Sequence, residues 1–129
     1  MSERALLRER LQMILEALER IPRRFARIKT PEDFVNSQSG MDLMDSICMV
    51  LLATGEEFKK IDNETEGGLL AQYPQIAWRG AIGLRDVLAH GYFQIDPEQL
   101  YAICKENIPP LIETVKRMIQ DLDDAESAP

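Results

Sequence analysis

An all-α fold, an antiparallel up-and-down bundle of four to five helices, is what the sequence predicts, on three observations. Apolar residues recur at three- and four-residue steps through most of the chain. Aromatic residues make up only 6% and β-branched runs are few, which leans away from sheet. Thr30-Pro31-Glu32-Asp33 and Asp96-Pro97-Glu98-Gln99 are well-formed helix starts, with a capping residue, proline at the first helical position and acids in the first turn.

From Ser2, the residues Leu6, Leu7, Leu11, Ile14, Leu15, Leu18 and Ile21 define a first amphipathic helix that Pro22 should kink or end. Phe25 and Ile28 keep the spacing, so a second piece is expected as far as Lys29. The Thr30-Pro31 start leads into Phe34 and Val35. Ser37-Gln38-Ser39-Gly40 then interrupts, and Met41 to Ile61 forms the central core helix. Residues 62–68, polar and closed by Gly67-Gly68, read as a loop. The next helix is expected after Tyr73-Pro74 and should run to His90, where Gly91 is a natural stop. A last helix runs from Asp96-Pro97 to Ile119, bent at Pro109-Pro110. One domain over residues 1–122 is expected, followed by an acidic tail over 123–129 that frays. Trp78 and Met13, Met41, Met44, Met49 and Met118 sit at helical spacing and are expected in the core.

Composition narrows the function classes. No stretch approaches the roughly 18 uninterrupted apolar residues of a membrane span. Met1-Ser2-Glu3-Arg4 lacks the basic-then-apolar plan of a signal peptide, so a cytoplasmic protein is expected. Cys48 and Cys104 are far apart and there is one histidine, which gives a zinc site or disulfide little support. No phosphate loop, G-x-S-x-G or dinucleotide fingerprint is present. The net charge of −7 opposes broad phosphate binding, yet residues 1–30 carry an excess of four positive charges. Such polarity fits a basic surface beside a substrate, and fits better solvated helix faces that pair with an acidic partner.

His90 is the one side chain whose unperturbed pKa lies near neutrality, hence the default general acid or base. Arg85 and Asp86 precede it on the same expected helix and Tyr92 follows in the exit loop. Arginine can neutralise charge developing on a phosphoryl oxygen, imidazole can move a proton, and Asp86, four residues before His90, can hold the ring. The same residues also fit ordinary surface charges and helix-end packing. Five residues at about 100° each put Arg85 and His90 roughly 140° apart on a straight helix, so one chain does not place them on one face.

Arg85, His90 and Tyr92 match every fixed position of R-x-x-x-x-H-x-Y. With Gly55-Glu56-Glu57, the run from Tyr73 to Trp78 and the run from Gly91 to Asp96, the chain resembles the HepT-type members of the HEPN superfamily. It departs in carrying Glu57 where relatives often have alanine. The resemblance implies a HEPN-like helical bundle that forms a homodimer, with two copies of the motif at one cleft. It implies a metal-independent endoribonuclease toxin, with Arg85 and His90 catalytic, Asp86 supporting and RNA as substrate. The implied partner is an MNT-type nucleotidyltransferase antitoxin, which uses ATP to place AMP on Tyr92; the protein itself needs no cofactor. The alternative is a catalytically silent HEPN subunit that presents a nucleotide or substrate to such an enzyme.

Overall fold

The computed structural model describes residues 2–127. Five α-helices occupy that range: α1 (Glu3–Phe25), α2 (Gln38–Glu64), α3 (Trp78–His90), α4 (Pro97–Ala102) and α5 (Ile108–Ser127), and no strand occurs among the described residues. Ion pairs give the directions. Arg10 near the start of α1 pairs with Glu57 and Glu64 late in α2, while Arg24 near its end donates to the Ser46 carbonyl early in α2. Arg8 and Arg4 pair with Asp123 and Glu126 at the end of α5. Both α2 and α5 therefore run antiparallel to α1, and α3 lies along the other side of α2. This is the antiparallel bundle the apolar spacing predicts.

Helix α1 is capped by Ser2, whose Oγ accepts from the Ala5 N–H at 3.1 Å, and it buries Leu11, Ile14, Leu15, Leu18 and Ile21. Pro22 does not end it. The proline gives up one donor a turn from the end, while its carbonyl still accepts from Ala26 at 3.0 Å, so the helix continues to Phe25. The expected second piece is a turn that buries Ile28, and Thr30-Pro31 opens only a 3-10 turn, Pro31–Phe34. There the Asp33 carboxylate accepts from the Lys29 and Thr30 N–H groups at 2.8 and 3.0 Å, which holds its pKa below the usual carboxylate value.

The segment expected to interrupt the chain instead begins α2. Ser37 Oγ accepts from the Gly40 N–H at 2.9 Å, an N-cap three residues ahead of the apolar stripe. A Cβ at Gly40 would meet the Asp33 carbonyl oxygen at 1.8 Å, so only glycine lets the two segments pass. At its other end α2 extends past Ile61 to Glu64, and the turn that follows uses positive φ at Glu66 and Gly67. Helix α3 starts at Trp78 because the indole N–H donates to the Tyr73 carbonyl at 2.9 Å, folding the approach into a turn. Phe58 meets Trp78 edge-on at 5.1 Å.

Asp96 caps α4 as expected, accepting from the Glu98 N–H at 2.9 Å. The bend at Pro109-Pro110 takes the form of a π-helical segment, Ile103–Asn107, between α4 and α5: two adjacent residues without N–H groups cannot serve the carbonyls one turn back. Helix α5 continues through the expected acidic tail to Ser127, with Arg8 paired to Asp123 and Arg4 to Glu126; Ala128 and Pro129 lie outside the described residues. Cys48 and Cys104 are buried free thiols, pushed up to about 11 and about 12 mainly by that burial. Three methionines depart from the expected core. Met13 lies on the outer face of α1, and Met41 and Met49, spaced around Asp45, lie on a line of α2 that no helix covers; all three are exposed.

Phe58 is 1% exposed and joins α2 to α3, so Phe58→Ala should lower unfolding free energy by about 3–5 kcal/mol in urea denaturation, with α3 loosened first. A loss under about 1 kcal/mol would mean that α3 is not anchored there.

Candidate active site

Helix α3 carries Arg85, Asp86 and His90, and its packing on α2 decides what each can do. Gly55 of α2 makes the approach close: a Cβ there would stand 3.3 Å from the Arg85 Cβ and 3.4 Å from the Ala81 carbonyl oxygen. Arg85 is thereby pressed against α2, 19% exposed, with Nη1 donating to Glu56 Oε1 at 2.9 Å and to Asp86 Oδ1 at 3.1 Å. Its Nε is buried and has no partner among the described residues. The guanidinium is oriented by these two carboxylates, and the buried Nε is closed to solvent, so an oxyanion could reach it only from the exposed Nη edge.

His90 closes α3, exposed to solvent, and makes no side-chain hydrogen bond among the described residues. Asp86 does not hold its ring; the carboxylate turns to the neighbouring Arg85 instead. Within one chain Arg85 and His90 thus lie on different faces, as the helical angle predicts. The Gly91 N–H closes the helix on the Val87 carbonyl at 2.8 Å, and the following 3-10 turn, Tyr92–Gln94, folds back toward α2.

That turn brings Tyr92 to Asp45, which accepts a hydrogen bond from the phenol. Burial pushes the phenol's pKa up, and the Asp45 carboxylate and the Cys48 thiol push it further. Phe93 beside it is 96% exposed. Arg85 and Tyr92 are therefore both fixed on α2, through Glu56 and Asp45, two residues that sequence reasoning did not assign. A mid-helix glycine at Gly55 is the one signal of close approach the sequence offers there; Asp45 carries none.

Between α2, α3 and the π segment leading into α5 lies an open, mainly apolar cavity of ≈560 Å³, lined by Thr54, Phe58, Gly83, Leu84, Val87 and Ile103 among others. Among the described residues, no three His, Cys, Asp or Glu side chains gather as metal ligands, and no helix is long and apolar enough to cross a membrane.

The family model described as ribonuclease HepT-like matches residues 14–118, which includes the whole R-x-x-x-x-H-x-Y motif and both of its α2 anchors. The chain belongs to the HepT-like family. A relative in Thermococcus cleftensis, "Probable ribonuclease HepT", is 34% identical over 101 residues, covering 78% of this chain and 84% of that protein. In Methanocaldococcus jannaschii, a "Gamma-glutamylcyclotransferase and putative RNase" is 29% identical over 113 residues. The match covers 88% of this HepT-like chain but 47% of that longer protein, about half its length. A "Putative RNase" of the same organism is 28% identical over 93 residues, 72% of this chain and 74% of that protein. No solved structure matches the chain.

Removing the charge beside Tyr92 should show in its titration. The raised phenol keeps its proton through the ordinary range near 10 and loses it only at higher pH. Ultraviolet titration, with Tyr92→Phe subtracted, should therefore place Asp45→Asn below the parent but still above a free phenol, because burial remains. An unmoved curve in Asp45→Asn would sever the pair.

Proposed function

We propose that this HepT-like chain is a metal-independent endoribonuclease that acts as a homodimer, the toxin half of a type VII-like toxin–antitoxin pair in the cytoplasm. The observation that carries the reading is the split of the motif: Arg85 is fixed and desolvated on α2 while His90 stands free at the end of α3. A second copy supplies the complement. Met41, Met49 and Phe93 lie exposed around the Asp45–Tyr92 pair, and Val87 is exposed beside the open cavity, an apolar surface that a monomer leaves in water.

In the proposed reaction His90 takes the proton from the substrate's 2′-hydroxyl, and that oxygen attacks the adjacent phosphorus. The bond to the 5′-oxygen breaks, and the leaving oxygen takes up a proton from an imidazolium. The products are a 2′,3′-cyclic phosphate and a 5′-hydroxyl. Arg85 stabilises the charge that grows on the non-bridging oxygens. Control falls to Tyr92, whose hydroxyl a cognate MNT nucleotidyltransferase adenylylates from ATP, releasing pyrophosphate. The new phosphodiester adds bulk and negative charge next to Asp45.

A second reading rests on Arg85 being already engaged by Glu56 and Asp86: a silent HEPN subunit that offers a nucleotide or substrate to its nucleotidyltransferase. RNA cleavage in EDTA separates the two. Purified protein should cleave, and His90→Ala should lower the rate by about 10²–10⁴-fold. Equal cleavage by His90→Ala would remove the ribonuclease reading, and no cleavage together with binding of a non-hydrolysable ATP analogue would establish the silent one. Intact mass after incubation with ATP and the partner should show added AMP on the parent and none on Tyr92→Phe. AMP still present on Tyr92→Phe would move the control point elsewhere.

A further inference from the structure

The motif surface of a single chain is short of positive charge. Glu56 and Asp86 occupy the Arg85 guanidinium and Asp45 stands beside Tyr92, so affinity for a polyanion has to come from another part of the molecule.

The arginines of α1 fall into two groups. At the start of the helix Arg4, Arg8 and Arg10 are consumed in ion pairs with Glu126, Asp123, Glu57 and Glu64. At its end Arg20, Arg23, Arg24 and Arg27 make no ion pair among the described residues, not even with Glu16 and Glu19 of the same stretch. Arg20, Arg23 and Arg24 fall within about 100° of arc on the face opposite the buried Leu11, Leu15 and Leu18, and Arg27 follows on the turn that leaves the helix. Arg20, Arg23 and Arg27 are exposed.

This ridge sits at the motif end of the bundle. Arg24 Nη1 reaches the Ser46 carbonyl at 3.4 Å, and the next residue along α2, Asp45, is the one that holds Tyr92. Antiparallel packing thus puts the last turn of α1 and the last turn of α3 on either side of the same short stretch of α2. Guanidinium groups repeating along one helix face suit the evenly spaced phosphates of a nucleic acid strand, each a planar fork for a pair of oxygens. Glu16, Glu19, Glu32 and Asp42 lie at this same end, but the run from Arg20 to Lys29 itself holds five cations and no acid.

We infer that the Arg20, Arg23, Arg24 and Arg27 ridge is the surface that grips the phosphate backbone of single-stranded RNA and feeds it toward His90. This deepens the ribonuclease reading and rests on it for the identity of the polyanion. An acidic protein partner is the competing occupant, and the location beside the motif favours RNA.

Binding of a fluorescein-labelled single-stranded RNA oligonucleotide by anisotropy, in EDTA and in a His90→Ala background that leaves the RNA intact, tests it directly. Losing three phosphate contacts in Arg20→Gln/Arg23→Gln/Arg27→Gln should reduce the slope of log affinity against log salt by about 2. Between 50 and 200 mM salt the parent should then weaken about 20-fold more than the triple variant. The corresponding triple Lys variant should keep the parent's slope, and Lys116→Gln on α5 should lose no more than one contact's share. An unchanged slope in the triple Gln variant, no RNA binding by the parent, or an equal loss in Lys116→Gln would each overturn the ridge. Unchanged RNA binding with lost association to the nucleotidyltransferase would make it a protein-docking face, which also overturns it. Cleavage is scored separately: a parent that binds through the ridge and does not cleave fails the ribonuclease reading alone.

Discussion

Everything about the motif depends on how closely α3 can lie on α2. Helix α3 buries only Leu88 fully, so apolar burial alone holds it weakly, and it is anchored by a few directed contacts. Gly55 sets the separation, Phe58 and Trp78 join the helices at one end, Arg85 and Glu56 in the middle, and Tyr92 and Asp45 at the other. Two of these three anchors are motif side chains. Arg85 and Tyr92 are therefore also what fixes the motif's helix in place, and their substitution carries a structural cost of its own.

The helical stripes were legible because burial enforces them. Leu11, Leu15 and Leu18, or Leu111, Val115 and Met118, recur at the spacing of one helix face, and the caps at Ser2 and Asp96 announce their helices in sequence. What misled were residues whose role is set by a neighbour distant in sequence. Ser37 and Gly40 look like an interruption until Asp33 is seen crossing within contact of Gly40. Pro22 looks like a stop until it is seen to stand a turn from the helix end. Met13, Met41 and Met49 keep helical spacing yet face outward, since periodicity identifies a helix more readily than it identifies which helices arrive to cover it. The motif itself was legible, and so was its failure to form a one-faced site; the roles of Asp45 and Glu56 were not, because a hydrogen bond or ion pair between segments distant in sequence leaves no local pattern.

The acidity of the chain also changes meaning once charges are placed. A net charge of −7 describes the far field, but a strand of RNA within a few ångströms of the surface meets particular side chains. Arg4, Arg8 and Arg10 already face carboxylates of α2 and α5, which offset their charge toward a ligand. Glu57 is part of that scheme through Arg10 and Lys60. The run from Arg20 to Lys29, five cations with no acid between them, lies at the end where α3 finishes.

On the proposed reading this arrangement explains why a tyrosine, rather than the histidine, is a suitable point of control. His90 is exposed and joined to nothing else among the described residues, so blocking it would disturb one group. Tyr92 is a joint between the turn after α3 and α2. A phosphodiester on its hydroxyl removes the proton that Asp45 accepts and sets a negative charge against that carboxylate, so the bond becomes a repulsion. The turn that follows His90 would then no longer rest on α2, and the end of α3 that carries the imidazole would lose its anchor. On that reading a single modification of Tyr92 would act both on the entry of an anionic strand and on the geometry of the groups proposed to cleave it.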